Sequence, residues 1–506
     1  MSSYKAFVKY VIFLCLILSI VAIAFLASVP PVSKDALVHH LAVPKLYLNH
    51  GGIYEIPSMD FSYYPMNLDL LYLIPLYFGN DILPKIIHFF FGLLTSWVIF
   101  DYLKSRLNHI YALGGALFFI SIPIIVKLSI SVYVDLGLLF FTTTALILLL
   151  KWFDNIERPL PFILSAICCG LAMGTKYNGL VGFIILMAFV PMIYVRYTKS
   201  EKFKGIKSIG IVLGYGVIAL IVFSPWMIRN YLWTNNPVYP LYDNWFNAGS
   251  SLPGFSLGIF AYREILYQES WLDMVLLPIR VFFQGQDGNP QYFDGKLNPF
   301  LLIFGVFAFL RGASDPENVR FDKKILLLFA TLFFLFSLFS TGLRIRYILP
   351  ILSPLVILAT YGVKNLVTLT QNHFKLISGK FLFVLVICAV SGAYLINTHY
   401  VYDQFKIVKP FDYISGKLTR DQYIKKFRPE YPAMQYISQK LPADSKILFF
   451  YIGRRGYYCD REYTFDMVNM KSTFKKYIKT MNSPIDIYNA LNQGGITHFL
   501  IKEDIF

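Results

Sequence analysis

The acidic residue Asp35 lies just after the first long apolar stretch of the chain, and His39 and His40 follow it about one helical turn later. A carboxylate flanked by histidines can act as a general base toward a hydroxyl group, or can bind a metal ion. Ionisable groups beside an apolar stretch are costly unless they are paired or face water. The sequence therefore predicts a chemically active cluster at this position, in which the histidines orient Asp35 or contact a substrate.

Other charged residues also stand at the ends of apolar stretches. Basic side chains held at the level of lipid headgroups suit a phosphate or diphosphate, whose charge they stabilise as it develops on a leaving group. The alternative for each lone basic residue is that it only extends its charge to the headgroups. Two carboxylates with several cations on one side favour the first interpretation. The residues concerned, besides Asp35, are Asp135, Lys45, Lys127, Lys176, Arg229, Arg344 and Arg346.

Composition indicates the class of protein that carries these residues. The 506 residues are 56% hydrophobic and only 15% charged, which is typical of a polytopic helical membrane protein. The five cysteines form no disulfide framework and no metal-binding spacing. The net charge of +16 comes mostly from short loops between apolar stretches, which argues against nucleic acid as a partner.

The apolar stretches predict about eleven transmembrane helices, and the first is expected to be retained as a helix. Lys and Arg concentrate in alternate connections, which the positive-inside rule places in the cytoplasm. The prediction is a multi-pass protein of the plasma (inner) membrane with a cytoplasmic N-terminus, a C-terminus outside, and the Asp35 cluster on the outer face. The predicted spans cover residues 7–29, 82–100, 110–127, 132–150, 160–175, 178–195, 207–228, 297–310, 325–341, 347–363 and 381–398.

Two long external loops are predicted, residues 30–81 and 229–296. In the first, Asp35–Val43 is expected to be helical up to a break at Pro44, with a short second helix that ends at Gly51. In the second, Ile265–Phe283 is rich in Leu, Ile, Trp and Phe, which predicts one helix partly embedded in the membrane.

The composition changes after residue 398, which predicts a transmembrane domain of residues 1–398 and a small external α/β domain of residues 399–506. Alternating and apolar patterns in this tail indicate two helices, the second of them capped by Ser483, and two strands. The predicted elements are helices Ala433–Lys440 and Pro484–Asn492 and strands Lys446–Ile452 and Thr497–Lys502.

At the charged positions the sequence resembles the lipid-carrier-dependent glycosyltransferases of the type C fold. This group contains protein O-mannosyltransferases, aminoarabinose transferases of lipid A and bacterial lipopolysaccharide-sugar transferases. The resemblance covers roughly residues 1–365, while the tail is similar only in its placement. The motifs that carry it are Asp35 with His39-His40-Leu41, Pro44-Lys45-Leu46-Tyr47, Asp135, Gly174-Thr175-Lys176-Tyr177, Pro225-Trp226, Arg229-Asn230, Asn236-Pro237 and Arg346-Tyr347 before Pro350.

The resemblance implies an all-α membrane enzyme of the type C fold that moves a sugar from a polyprenyl-phosphate donor to an acceptor on the outer face, with inversion. It implies that Asp35 is the catalytic carboxylate and Asp135 a second active-site acid. The implied donor-phosphate ligands are Lys176 and Arg346, with Arg344 and Arg229 as further candidates. Residues expected to contact substrate are His39, His40, Lys45 and Tyr64.

A metal requirement stays open at the sequence level. Relatives with adjacent acids in the first loop differ from Lys34-Asp35-Ala36, which offers one acid, so a divalent cation is possible but not certain. A second acid would come from Glu55, Asp60 or Asp69. Of lower weight are Tyr63, Tyr64 and Tyr292, which could stack on sugar or prenyl groups, and Asp287 and Asp294, which could line an acceptor entrance or only form a turn.

Two other functions remain possible from the sequence. An O-antigen polymerase or ligase would concentrate basic residues in large external loops without an acid after the first span. A transporter or flippase of lipid-linked sugars would place its ionisable residues near the middle of the membrane on broken helices. Neither the sugar nor the acceptor follows from the sequence, and lipopolysaccharide, another envelope glycan and a protein hydroxyl all stay open.

Overall fold

The structure, a computed structural model, describes residues 2–197, 204–247, 258–310, 315–340, 342–372, 377–468, 471–481 and 483–502. Within these ranges each of the predicted apolar stretches coincides wholly or in part with a helix, which confirms an all-α polytopic membrane fold. The helices concerned are Ser2–Ala27, Leu83–Arg106, His109–Ser121 with Pro123–Ser129, Asp135–Asp154, Pro159–Thr175, Asn178–Tyr197, Lys204–Thr234, Phe300–Phe307, Glu317–Ser340, Leu352–Asn372 and Ile377–Val408.

The number of helices that satisfy the requirements for a span is smaller than the predicted eleven. In the described part of the chain, seven helices are long and apolar enough to cross a membrane alone, and one bent pair makes an eighth. This pair, His109–Ser121 and Pro123–Ser129, is bent by 62°. The bend lies before Pro123 because a proline disfavours helical conformation in the residue that precedes it, and Ile122 has ψ of 132°.

The helices differ in how much of their surface they bury. Helix Asp135–Asp154 lies inside the bundle, where 67% of the residues in its most apolar stretch are buried. The corresponding share in the first helix is 17%. Phe7 and Tyr10 on the first helix are 65% and 70% exposed. Large apolar side chains on an outer helix surface suit contact with lipid rather than with water.

The loop of residues 30–81 contains a π-helix, Ala36–His40, directly after Asp35. The predicted break at Pro44 is wrong, because the backbone breaks at Leu41 and a new α-helix, Ala42–His50, begins there. Pro44 lies in the first turn of this helix, where backbone N–H groups have no acceptor within the helix. A proline there therefore costs no hydrogen bond. The predicted end at Gly51 is confirmed, since Gly51 has φ of 80°. The loop continues with the 3₁₀-helix Asp60–Tyr63 and the α-helix Asn67–Tyr77.

The predicted single helix Ile265–Phe283 is wrong, because the segment forms separate short helices. A left-handed residue, Gln268 with φ of 54°, ends the first, and Ser270 caps the second in a reciprocal capping box with Asp273. Several of the segment's apolar side chains face outward, as Trp271 does with 71% exposure. The α-helices of this loop are Asp243–Phe246, Ile259–Tyr267, Trp271–Val275 and Leu277–Phe283.

The C-terminal region contains a three-stranded parallel sheet, and its predicted elements are confirmed. Strand Lys446–Phe450 is central and pairs with Glu462–Phe465 and His498–Ile501 on its two sides. Ser483 caps its helix by accepting the Asp486 N–H. A short antiparallel pair joins Met467–Val468 to Lys471–Ser472. The helices of the region are Pro410–Ile414, Arg420–Phe427, Tyr431–Lys440, Thr473–Thr480 and Pro484–Gln493.

The loop that follows the central strand packs onto the loop of residues 30–81. The Tyr457 N–H donates to the Leu37 carbonyl at 3.2 Å, and Arg454 pairs with Asp60 at 2.7 Å. Loops at the carboxyl ends of parallel strands commonly form functional surfaces. Here that end of the sheet lies against the segment that contains Asp35.

Candidate active site

Asp35 is paired with Arg346. The Arg346 guanidinium donates to the Asp35 carboxylate, and the two side chains are 15% and 21% exposed. Arg346 lies in the 3₁₀-helix Ile345–Ile351, which precedes the membrane helix Leu352–Asn372. Burial on its own raises the pKa of Asp35, but the charge and hydrogen bond of Arg346, together with electrostatic interactions with His39 and His40, outweigh burial and hold the pKa well below its usual range. Asp35 is therefore ionised over the whole physiological pH range.

Asp135 is paired with Lys176 in the same way. The Lys176 Nζ donates to Asp135 Oδ1 at 2.7 Å, and the Asp135 side chain is fully buried. Asp135 is the first residue of its helix, while Lys176 is the residue after helix Pro159–Thr175. A carboxylate at a helix N-terminus interacts favourably with the helix dipole, so the helix and Lys176 both stabilise the negative charge of Asp135.

Tyr347 brings the two ion pairs together. The Lys176 Nζ and the Arg346 guanidinium carbon lie 5.4 Å and 5.3 Å from the centroid of the Tyr347 ring. The charge of Arg346 also interacts with both Asp35 and Asp135. Both predicted acids and both predicted phosphate ligands thus occupy one site.

His40 belongs to this site through a partner that the sequence left uncertain. Its Nδ1 lies 2.7 Å from Asp69 Oδ1, and both side chains are buried. Burial raises the pKa of Asp69 to about 8 and lowers the pKa of His40 to about 4. At neutral pH the pair therefore consists of a protonated acid and a neutral imidazole that share one hydrogen bond.

His39 stacks on Phe61 with ring centroids 4.4 Å apart. Its buried Nδ1 makes no hydrogen bond to the part of the protein that the structure describes. Burial lowers its pKa, so the ring is neutral at physiological pH. A neutral imidazole can accept a proton or a hydrogen bond from a substrate group.

His88 is a residue of the site that sequence reasoning missed. Its Nε2 accepts the Leu136 N–H at 2.9 Å, and its Nδ1 donates to the carbonyls of Leu128 and Ser131 at 3.0 Å. The side chain therefore caps the helix that begins at Asp135. The only sequence signal for His88 is that it is a polar residue inside a predicted transmembrane stretch.

Arg229 lies close to the ion pairs but makes different contacts. It donates to the carbonyls of Tyr63 and Tyr64 at 2.6 Å and 3.1 Å, between the rings of Trp226 and Trp233. Its Nη1 is buried without a hydrogen-bond partner among the described residues. The Tyr64 ring lies 5.3 Å from that of Tyr177, beside Lys176. Arg229 and Tyr64 thus connect the first loop to the Gly174–Tyr177 motif.

Gly179, just after the Gly174–Tyr177 motif, lets the chain pack closely against the preceding helix. A Cβ at this position would lie 2.5 Å from the backbone carbonyl of Ala172, in the helix that ends before Lys176. Backbone atoms cannot move aside as a flexible side chain can. The absence of a side chain at Gly179 therefore allows the turn at Lys176.

Some predicted residues have partners outside this cluster. Lys45 pairs with Asp460 at 2.5 Å and donates to the Tyr457 carbonyl at 2.8 Å, so it contacts the C-terminal region. Arg344 lies 3.6 Å from Asp294. Both therefore lie in other ion pairs than those of the Asp35 cluster.

Asp287 and Asp294 share one cation. The Lys127 Nζ lies 3.1 Å from a carboxylate oxygen of each. Tyr292 lies in the same turn, where its carbonyl accepts the Gln286 N–H at 2.9 Å. These contacts hold the segment in a turn against Lys127.

The remaining candidates for a second acid each have another partner. Glu55 accepts the Tyr63 hydroxyl at 2.6 Å, and Asp60 pairs with Arg454. In the described part of the chain, no group of three or more His, Cys, Asp and Glu side chains is arranged to hold a metal ion. Asp35 and Asp135 are each neutralised by a basic side chain. The residues do not fit a divalent cation, and no step proposed below uses one.

Several buried polar atoms of the site make no hydrogen bond within the described residues. Such atoms are costly and need a partner, which at a functional site is commonly a substrate. Their types are mixed, since they include a carboxylate oxygen, two guanidinium nitrogens and an imidazole nitrogen. The atoms are Asp135 Oδ2, Arg229 Nη1, Arg346 Nε and His39 Nδ1.

The arrangement combines the groups that substitution at a phosphorylated carbon requires. An ionised carboxylate can take the proton of a hydroxyl group. Fixed cations beside it can stabilise the charge of a departing phosphate.

Comparison with known proteins gives one family match. The profile described as dolichyl-phosphate-mannose-protein mannosyltransferase matches residues 54–235, a range that contains Asp135, Lys176 and Arg229. No curated protein sequence matches the chain.

Solved structures share the fold. ArnT from Cupriavidus metallidurans in the apo state has a TM-score of 0.61 at 13% identity, over 100% of this chain and 94% of ArnT. The same protein bound to undecaprenyl phosphate has a TM-score of 0.59 at 14% identity, with the same coverage. Archaeal AglB from Archaeoglobus fulgidus, in complex with an inhibitory peptide and a dolichol-phosphate, has a TM-score of 0.50 at 12% identity over 92% of this chain, which spans 65% of AglB. The predicted type C fold is confirmed.

Proposed function

Since the chain is a membrane glycosyltransferase of the type C fold, we propose that it moves a sugar from a polyprenyl-phosphate donor to a hydroxyl group of a cell-envelope acceptor. The observation that carries the proposal is the pairing of Asp35 with Arg346, next to that of Asp135 with Lys176. A base and two phosphate-binding cations thus lie within one site. The ArnT structure with undecaprenyl phosphate supports the donor class, since that protein has the same fold.

The reaction assigns a role to each charged group. Asp35 takes the proton of the acceptor hydroxyl, and the acceptor oxygen forms a bond to the anomeric carbon of the donor sugar. The bond between that carbon and the phosphate oxygen breaks, and its electron pair stays on the phosphate. The products are a glycoside of inverted configuration and a polyprenyl phosphate. Arg346 and Lys176 stabilise the negative charge that develops on the phosphate.

Asp135 acts through Lys176 in this scheme. It fixes the lysine ammonium at the end of a helix while its second oxygen remains available to a substrate hydroxyl. Arg229, whose Nη1 lacks a partner among the described residues, is the third cation available to the donor phosphate. His39 and the neutral His40 lie near the base, whose charge interacts with both, and Tyr64 lies against Tyr177, which follows Lys176.

The proposed orientation places the reaction on the outer face of the plasma membrane. The alternation of basic connections supports a cytoplasmic N-terminus. Residues 30–81 and the region from 399 onward contact each other and would then both lie outside. We propose residues 1–398 as the transmembrane domain and 399–506 as the external domain, since the parallel sheet is confined to the latter.

The acceptor is proposed only as a class, a hydroxyl group of lipopolysaccharide, of another envelope glycan or of a protein. Each of these reaches the outer face as a large polar molecule. Each therefore needs an opening to water beside Asp35, whose side chain is 21% exposed.

The test uses purified full-length protein in vesicles with polyprenyl-phosphate sugars and an extract of envelope glycans. Mass spectrometry should detect release of polyprenyl phosphate and a matching mass increase in one acceptor fraction. The Asp35→Asn variant should release polyprenyl phosphate about a hundredfold more slowly, or slower still. Movement of intact donor across the vesicle without cleavage would instead identify a transporter. Release of polyprenyl diphosphate from an oligosaccharide donor would identify a polymerase or ligase.

A further inference from the structure

The segment Val29–Lys34 connects the first membrane helix to Asp35, and it is called here the strap. It has no regular secondary structure up to Ser33, becomes helical at Lys34, and contains Pro30 and Pro31 in succession. Prolines fix one backbone torsion and have no N–H. The position of the strap therefore depends on what its carbonyl groups contact.

One contact with the strap comes from the membrane bundle. The Lys85 Nζ donates to the Val29 carbonyl at 2.5 Å and lies 3.4 Å from the Pro30 carbonyl. Lys85 belongs to helix Leu83–Arg106 and is 3% exposed. A buried lysine needs such acceptors, because an unsatisfied ammonium group is costly in apolar surroundings.

The next two carbonyls are held by the C-terminal region. The Tyr458 hydroxyl donates to the Pro31 carbonyl at 2.8 Å. The Arg428 Nε donates to the Val32 carbonyl at 2.6 Å, and Nη2 of the same guanidinium also donates to it. Four consecutive carbonyls thus accept bonds from side chains, and the two nearest Asp35 depend on residues that follow position 400.

The C-terminal region also holds the backbone beyond Asp35. The Tyr457 N–H donates to the Leu37 carbonyl at 3.2 Å. Lys45 returns the contact by donating to the Tyr457 carbonyl. Asp35 is therefore held from both directions along the chain by residues 457 and 458 and by Arg428.

We propose that Arg428 and Tyr458 are positioning residues for the transfer reaction, which hold the strap so that the Asp35 carboxylate faces Arg346 and the acceptor. This inference rests on the proposed function. It assigns the C-terminal region a part in catalysis through the backbone of the strap, without contact to either substrate. Rates of positioned reactions are sensitive to small displacements, and a shift of about 1 Å can cost about a hundredfold.

The first test measures transfer against donor concentration for Arg428→Gln and Tyr458→Phe in the full-length protein. Each variant should lower kcat by about tenfold or more and leave the donor KM within about twofold. Arg428→Lys should recover part of the rate, because one ammonium can still donate to the Val32 carbonyl. The Tyr458→Phe change removes a single oxygen atom, so it tests the contact with little risk to folding.

The chain offers a matched control for each variant. Arg461 donates to the carbonyls of Leu441 and Pro442 within the C-terminal region, away from the strap. Tyr423 donates its hydroxyl to the Val408 carbonyl at 2.9 Å. Arg461→Gln and Tyr423→Phe remove similar bonds, and they should leave kcat within about twofold of the wild type.

The second test does not depend on activity. Amide hydrogen exchange over residues 32–41 should increase several-fold in Arg428→Gln and stay unchanged in Arg461→Gln. Unchanged exchange in this segment, or a wild-type kcat in both strap variants, would overturn the inference. Failure of the wild-type protein to release polyprenyl phosphate would instead overturn the proposed function, so the two failures are distinguishable.

Discussion

The guanidinium of Arg346 is paired with the carboxylate of Asp35 across 311 positions of the sequence. Neither residue lies within a long helix, and each follows or precedes one of the apolar helices. The second pair, Asp135 and Lys176, spans 41 positions. The site therefore forms where the ends of several helices meet.

The first prediction concerns the base. Asp35→Asn keeps the size of the side chain and removes its charge, so it should lower turnover about a hundredfold or more, the usual contribution of acid–base catalysis. Asp101→Asn, which alters a half-exposed acid paired with Lys151, is the control and should stay near wild type. Transfer assays at equal expression compare the two. Near-normal turnover of Asp35→Asn would exclude the assigned role.

The second prediction concerns the donor phosphate. A charged hydrogen bond contributes about 1.5–3 kcal/mol, so Arg346→Ala or Lys176→Ala should weaken donor use by about ten- to a hundredfold. Arg346→Lys should recover only part, because lysine lacks the planar fork that contacts two oxygens. Rates are measured against donor and acceptor concentrations separately. An effect on the acceptor requirement alone would contradict the assignment.

The third prediction concerns stability. Lys176→Met leaves the fully buried Asp135 without its cation, and breaking such a pair costs about 3–5 kcal/mol. The double variant Lys176→Met, Asp135→Asn removes both charges and should recover most of that loss. Thermal unfolding in detergent compares the single and double variants. Equal destabilisation of both would mean that the ion pair does not hold the helix ends together.

The fourth prediction is a pH dependence that comes from Asp69. Burial raises its pKa to about 8 in the folded protein, against about 3.9 in an unfolded chain, so its contribution to stability is lost as pH rises toward 8. Burial lowers the pKa of His40 to about 4, against about 6.5 in an unfolded chain. The contribution of His40 to stability therefore rises with pH and is nearly complete at about pH 6.5.

Above pH 6.5 the effect of His40 no longer changes, and comparison with Asp69→Asn isolates the effect of Asp69 from those of other groups. From pH 6.5 to 8.5 the wild type should lose about 2 kcal/mol relative to Asp69→Asn. Thermal unfolding midpoints of both proteins across this range measure the difference. Parallel curves would show that Asp69 is ionised in the folded protein at pH 6.5.

The fifth prediction concerns orientation. In a variant without the native cysteines, Lys425→Cys should react with a membrane-impermeant thiol reagent in intact cells, and Glu157→Cys should react only after permeabilisation. Both positions are exposed. The reverse pattern would place the Asp35 site on the cytoplasmic face.

Local patterns in the sequence predict the helices well because each apolar stretch is long enough to define its own element. Two strands of the tail sheet and the Ser483 cap are also predicted from local patterns, whereas the third strand, Glu462–Phe465, is not. The helix Ile265–Phe283 fails because its interruptions at Gln268 and Ser270 leave the apolar content unchanged. Composition alone does not reveal a left-handed residue.

The sequence predicts the four charged residues of the site, but it predicts neither their pairing nor His88. Asp35, Asp135, Lys176 and Arg346 stand out as charges beside apolar stretches. The bond between His40 and Asp69 could not be predicted, because 29 positions and a change of element separate them. The sequence assigns Lys45 to the substrate, because its partner, Asp460, lies in a region that resembles relatives only in placement.

The contact between Arg428 and Val32 spans 396 positions of the chain. Translation produces the strap long before it produces Arg428. A nascent or truncated chain can insert its first helices, yet it lacks both Arg346 and the groups that hold the strap. If these residues act as proposed, incomplete products in the membrane are inert toward lipid-linked sugars, so a cell does not lose donor to unfinished enzyme.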